Sequence, residues 1–205
     1  MVELGIWEIA VLALLREAPM HPYQMQRLLH LRHKDEILVL KRGSLYHAIG
    51  RLVRAGLVAV KATGREGKRP ERTIYRITPA GRDALADTLR RVLSTPRRES
   101  SEFLAAVSFL IFLNPDEAAR QLEERTGNLR SEIAQLTATL ATVSTYVQRI
   151  HLLESEYLLT MLKAELAWVR DIRKEIRAGR LRWNLNAIFR EVQAVRTAAS
   201  KKEKK

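Results

Sequence analysis

The chain has 205 residues, with 36 Lys+Arg against 23 Asp+Glu and a formal net charge of +13. That length suffices for one or two domains with a real core, and 46% hydrophobic with 29% charged residues excludes extended disorder. With no cysteine, disulfides, thiol redox chemistry and thiolate metal sites are excluded as well. The N-terminus lacks a basic region ahead of an apolar stretch with a small-residue cleavage site. The longest apolar run, Phe103–Leu113, is broken only by Ser108 and falls well short of the about 20 residues that span a bilayer. The expectation is a soluble cytoplasmic protein.

Leu4–Arg16 reads as an amphipathic helix, with Leu4, Trp7, Val11, Leu14 and Leu15 at helical spacing. Ala18-Pro19-Met20-His21-Pro22 is a turn, and Pro22 then opens a second helix, Pro22–Leu31, whose apolar face is Met25, Leu28 and Leu29. Arg32–Glu36 is a polar connector and Ile37–Leu40 a short apolar stretch. The third helix is expected over Ser44–Ala55, with Ser44 as its cap and Gly56 closing it. Its inner face is Leu45, Ile49, Leu52 and Val53; its outer face offers Tyr46, His47, Gly50, Arg51 and Arg54. Leu57–Ala62 and Thr73–Ile77 alternate as the two strands of a hairpin around a Gly/Pro-broken loop, 64–72. A fourth helix follows, with Thr78 as N-cap and Pro79 at its first position.

Thr95–Ser101 is a polar break. Phe103–Leu113, apolar nearly all round, is expected to be buried on several sides as a helix. Asn114-Pro115-Asp116-Glu117 is a strong helix start. Leu122, Leu129, Ile133, Leu136, Leu140, Val143, Val147 and Ile150 then repeat as a heptad seam. A further helix over about Glu156–Ala178 carries Leu159, Leu162, Leu166, Val169, Ile172 and Ile176, and Gly179 ends it. The two form an antiparallel hairpin, meet another subunit, or do both; the favoured reading is both, with the seam packed within the chain and the apolar helix 103–113 wrapped by the partner. Asn184–Ser200 is a candidate last helix, and Lys201–Lys205 a basic tail expected to be disordered. The fold class is therefore mainly α. A winged helix-turn-helix over residues 1–95 precedes a helical, coiled-coil dimerisation domain over 96–183 and a C-terminal helix and tail over 184–205.

Positive charge gathers where this reading places two functional elements. Lys41–Arg54 holds four basic residues and no acid; Lys61–Arg76 holds six basic and two acidic. Such clusters suit a polyanion, because each neutralised phosphate releases counterions. Charge alone equally fits a solvated surface or an anionic membrane. Three helices followed by a hairpin are the plan of the winged helix, in which the third helix enters the major groove and the basic wing reaches flanking DNA. The two clusters coincide with those two elements, which favours nucleic acid.

Four stretches occur in order: Trp7-Glu8-Ile9-Ala10-Val11-Leu12, Pro19-Met20-His21-Pro22-Tyr23, Gly43-Ser44-Leu45-Tyr46-His47-Ala48-Ile49-x-x-Leu52 and Tyr75-x-Ile77-Thr78-x-x-Gly81. Together, over roughly residues 4–90, they resemble the PadR family of bacterial transcriptional regulators. Pro22 stands where that family often has Gly, and His47 where it often has Pro. The resemblance implies a dimeric winged-helix repressor on a palindromic operator, often near its own gene, and in many members release by a small molecule.

Ser44, Tyr46 and His47, at the start of the third helix, are candidates for base edges and phosphates; Ser44 as a cap and Tyr46 as a packing residue are the alternatives. Lys41, Arg42 and Arg51 flank the reading face and suit phosphates. Arg65, Lys68, Arg69 and Arg72 lie in the wing loop, whose tip suits a narrow minor groove. Tyr23 and Gln24 open the second helix as candidate phosphate contacts. For each cation alone, solvent is the competing role. Trp7, Phe109 and Trp168 are candidates to line a pocket for a small, planar, apolar effector, with plain core packing as the alternative.

His30-x-x-His33 has no third clear ligand, so no metal and no cofactor are expected. No triad, phosphate loop or paired-carboxylate motif stands out, so no enzyme is expected. The resemblance, added to the winged-helix pattern, implies a transcriptional repressor acting as a homodimer on double-stranded DNA. An architectural DNA-binding protein without sequence preference and a helical protein-interaction scaffold are the rival readings.

Overall fold

The computed structural model describes residues 3–32, 34, 42–64, 72–96, 101–185, 187, 189 and 190, with the backbone alone at 42, 63, 64 and 72. The chain divides into two units, Met1–Glu99 and Ser100–Lys205.

In the first unit, α1 (Ile6–Glu17) buries Val11, Leu12, Leu14 and Leu15, and the chain turns extended at Ala18 just before Pro19. Helix α2 (Pro22–Leu31) begins on its proline, where the missing N–H costs nothing. Its cap is unusual in kind. His21 Nδ1 accepts from the Tyr23 N–H at 3.1 Å, and Gln24 Oε1 accepts from the His21 N–H at 3.0 Å, a reciprocal box with imidazole in the hydroxyl's place. Arg32 then grips Glu17 with both terminal nitrogens, at 2.5 and 2.7 Å, tying the ends of α1 and α2 together.

Helix α3 spans Arg42–Arg54. It starts two residues earlier than the sequence reading placed it, so Ser44 lies inside the first turn and is not the cap. Leu45, Ala48, Ile49 and Leu52 face the core as expected, but Val53 is exposed: Ala48 completes the inward stripe and leaves Val53 on the flank. Gly56 ends the helix at φ +70, the left-handed conformation glycine adopts freely. The Gly56 N–H donates to the Val53 carbonyl at 3.0 Å and the Leu57 N–H to that of Leu52 at 2.9 Å, which satisfies the last turn.

Strands β1 (Val58–Gly64) and β2 (Arg72–Ile77) pair antiparallel, with Val58 opposite Ile77 and a bulge at Lys61, between Val60 and Ala62. On its other side β2 bonds the α1–α2 turn: Met20 and Tyr75 exchange two backbone hydrogen bonds, each 3.1 Å. The hairpin is thus anchored at its base to the helices. Helix α4 (Pro79–Ser94) follows, its first turn capped by the Thr78 hydroxyl, which accepts from the Gly81 N–H at 3.0 Å.

The second unit opens with α5 (Glu102–Ser108) and a 3-10 turn, Leu110–Phe112. No residue of either is buried in the single chain. The chain itself therefore leaves this apolar run largely uncovered, and the cover expected from a partner lies outside a single chain. Phe103, Leu110 and Leu113 pack on the unit's core, Val107 is half-buried, and Leu104, Phe109, Ile111 and Phe112 are exposed.

Helix α6 (Pro115–Val143) begins as read, with Asn114 Oδ1 accepting from the Glu117 N–H at 2.9 Å, and pairs with α7 (Leu153–Arg177) as a hairpin. Leu122, Leu129, Ile133 and Leu136 meet Leu162, Leu166, Val169, Ile172 and Ile176 in its core. Val147 and Ile150 fall beyond α6, which stops at Val143, and Ile150 is exposed. Arg125 joins Glu165 across the hairpin at 2.6 Å and lies 3.6 Å over the Phe103 ring. Gly179, at φ +65, closes α7. Beyond it, the Trp183 indole donates to the Leu113 carbonyl at 2.8 Å. No helix among the described residues is long and apolar enough to cross a membrane.

Candidate nucleic-acid interface

The core side of α3 is fixed by Leu45, Ala48, Ile49 and Leu52, so helical geometry dictates what the other side presents. Gly43, His47, Gly50 and Arg54 line up along the middle of that outer face. Tyr46 and Val53 form one flank, and Ser44 and Arg51 the other. Tyr46 is 57% exposed, and His47, Arg51 and Arg54 are exposed too; Ser44 is half-buried. The face combines aromatic, imidazole and cationic groups around two glycines. A Cβ at Gly50 would meet nothing within 4 Å, so the centre of the face is a bare strip of backbone.

The N-terminus of α2 offers Tyr23, well exposed, and Gln24, also exposed. The Gln24 oxygen is occupied by the cap, which leaves its amide N–H groups to donate. Arg51 is engaged from within the protein: its Nε donates to Glu8 Oε1 at 2.6 Å, and its Nη2 contacts the same oxygen. Of the remaining expected contacts, Lys41, Arg65, Lys68 and Arg69 lie outside the described residues, and Arg42 and Arg72 are described by backbone alone.

Two residues at this surface were not among the expected contacts. Arg54 completes the middle row of α3 one turn beyond Gly50, a position the spacing from His47 already marked. Glu8 is different in kind. Its partner is 43 residues away, and nothing local in the sequence announces which cation a carboxylate on α1 will meet.

The three candidate effector residues belong to two different units. Trp7 packs on the core of the first unit. In the second unit, Phe109 lines a groove of about 640 Å³ beside α5 and α6, together with Phe103, Phe112, Leu113 and Leu122. Trp168 does not line that groove, but stands edge-on to Phe103 with ring centroids 6.0 Å apart. Among the described residues no group of three or more His, Asp or Glu is placed to hold a metal ion; His33 lies outside them.

Residues 11–87 match the family described as the transcriptional regulator PadR-like family. The chain carries a PadR-like transcriptional regulator domain. The match runs from α1 through the wing strands into α4, the segment that contains every element of the winged helix. Among solved structures, Bacillus subtilis PadR in complex with operator DNA is similar at TM-score 0.69 and 19% identity, covering 85% of this chain and 99% of that one. Bacillus subtilis PadR in complex with p-coumaric acid gives 0.67 and 18%, over 84% and 99%. The Vibrio cholerae virulence activator AphA gives 0.62 and 18%, over 84% and 98%. At such identities the likeness is one of fold, and it extends past the PadR-like domain into the helical unit. No curated protein sequence matches the chain.

Proposed function

We propose that this PadR-like protein represses transcription by binding a palindromic operator as a homodimer, with a small-molecule effector releasing it. The observation that carries the reading is the outer face of α3. A helix held by four buried side chains presents Tyr46, His47, Arg51 and Arg54 around the bare strip at Gly50. That face fits a major groove, with cations placed for phosphates and aromatic and imidazole groups for base edges. Lys41, Arg42, Ser44, Tyr23 and Gln24 add contacts on its borders, and Arg65, Lys68, Arg69 and Arg72 supply the wing. The similar fold of a PadR bound to operator DNA supports this use of the domain.

The helical unit supports the dimer. It exposes Leu104, Phe109 and Phe112 at its start and Leu153, Tyr157, Met161 and Trp168 along α7, large apolar side chains of the kind a subunit interface covers. Two copies related by a two-fold axis place two recognition helices on half-sites about 34 Å apart or a multiple of that. The apolar groove beside Phe109 suits a flat, largely apolar molecule, and the similar PadR is known with p-coumaric acid. An effector acts by favouring a dimer geometry that misfits the operator.

Titration of the purified protein into labelled DNA from upstream of its own gene, across a salt series and against a scrambled duplex, tests the reading. Specific binding should exceed the control by about a thousandfold or more and weaken steeply with salt. Equal affinity for both duplexes would make it an architectural protein, and no binding at low salt would remove DNA as the partner.

A further inference from the structure

We propose that Glu8 is a positioning residue for DNA binding: its buried carboxylate holds Arg51 as a preset phosphate clamp on the flank of α3. The proposal rests on the DNA-binding reading above and specifies how one of its contacts is prepared.

The pair is asymmetric. The Glu8 side chain is 9% exposed, whereas that of Arg51 is 55% exposed. Glu8 is the one charged member of the buried residues of α1, the others being Val11, Leu12, Leu14 and Leu15, and a hydrophobic residue of similar size at a buried position would serve stability as well or better. Burying a charge there is costly, and Arg51 offsets that cost with two N–H groups directed at a single oxygen. The grip uses the Nε and Nη2 edge of the guanidinium. Nη1 makes no hydrogen bond among the described residues, and the half-exposed head leaves it available to an outside acceptor.

A free arginine on a helix surface must surrender its rotamer freedom to grip a phosphate. Arg51 has already surrendered it. Arg54, on the same helix and exposed, has no carboxylate partner among the described residues. Position on the helix agrees with the assignment. Arg51 stands on the flank of the outer face, where a helix in the major groove meets the backbone wall and not the base edges.

Gly5 lies beside the pair: a Cβ there would lie 2.8 Å from Glu8 Oε2, the oxygen Arg51 does not grip, and a small shift of the side-chain end would relieve the contact.

The experiment measures operator affinity and its salt dependence for the full-length protein, with melting curves confirming that each variant is folded at the assay temperature. Arg51→Ala should bind about five- to tenfold more weakly and reduce the salt slope by about one. Glu8→Gln is the decisive variant. Deleting a negative charge near a polyanion should by itself tighten binding. Loss of positioning should instead weaken it, by about threefold, with the slope retained and with no further loss when Arg51 is already alanine.

Arg51→Lys, which keeps the charge but cannot present two N–H groups of one planar edge to Glu8, should weaken binding with the slope retained, and so decides the matter if Glu8→Gln fails to fold. Binding by Glu8→Gln as tight as wild type or tighter would overturn the proposal. So would an equal loss from Glu8→Gln in the Arg51→Ala background, since that is a structural role. Failure of the wild type to bind any duplex would instead remove the DNA reading on which the proposal stands.

Discussion

Gly81 rests its bare Cα against the carbonyl of Leu57, so closely that a Cβ would lie 2.1 Å from the oxygen. The same carbonyl accepts from the Thr78 N–H at 3.1 Å, and the Thr78 hydroxyl reaches the Gly56 and Leu57 oxygens at 2.9 and 3.1 Å. The cap of α4 is thereby stitched to the residue that ends α3. Because the obstacle is backbone, no rotamer change relieves it. Gly81→Ala should destabilise the first unit by about 2–3 kcal/mol, read as a lower urea midpoint at unchanged slope.

Gly50 makes the opposite prediction. Its position is open, so Gly50→Ala should stabilise α3 by about 0.5–1 kcal/mol through lower chain entropy. Yet the added methyl occupies the strip that the groove must approach. Melting temperature should rise while operator affinity falls; a variant that gained stability and kept full affinity would mean that the centre of this face stands clear of DNA.

The exposed apolar residues of the helical unit yield a prediction about assembly. Phe109 and Tyr157 are 64% and 68% exposed, so replacing both with glutamate should leave the stability of the single chain within about 0.5 kcal/mol per site. In sedimentation the variant should run as a monomer, and its affinity for a two-half-site duplex should fall at least about tenfold. A dimer that survived both substitutions would place the interface elsewhere.

Much of this was written locally. Pro22, Thr78-Pro79, Asn114-Pro115, Gly56 and Gly179 each mark a helix end by a mechanism confined to a few neighbours, and all five stand where the sequence put them. The start of α3 was misplaced because a serine after glycine imitates a cap, whereas the helix already includes Gly43. The cover of Phe103–Leu113 is a different matter. Apolarity says that a segment seeks cover, and the cover expected here is a partner's, which a single chain does not contain.

The site divides along the same line. Exposed Tyr46, His47 and Arg54 follow from the periodicity of one helix. The engagement of Arg51 by Glu8 depends on how two helices cross, and so could only be seen once they were packed.

One pH dependence follows from the hairpin. Arg149 donates from Nε and Nη2 to both oxygens of Glu156, at 3.0 and 2.9 Å, and these hydrogen bonds hold the Glu156 carboxyl below its ordinary range. A carboxyl lowered in the folded state lends its contribution above its unfolded value and loses it as pH falls through the folded one. Both groups are on the surface, so the effect on stability should be slight. The NMR titration of Glu156 should therefore shift upward in Arg149→Ala, toward an unpaired glutamate.

The double hydrogen bond between Met20 and Tyr75 has a further consequence for the wing. It places β2 between two neighbours, so β1 alone carries an unpaired rim among the described residues. Such a rim is a template for another chain's strand, and the risk grows with Val60 exposed beside it. The bulge breaks the ladder at that point and puts the charge of Lys61 there. Bulge and lysine together are the means by which an edge strand discourages a second chain from pairing along it.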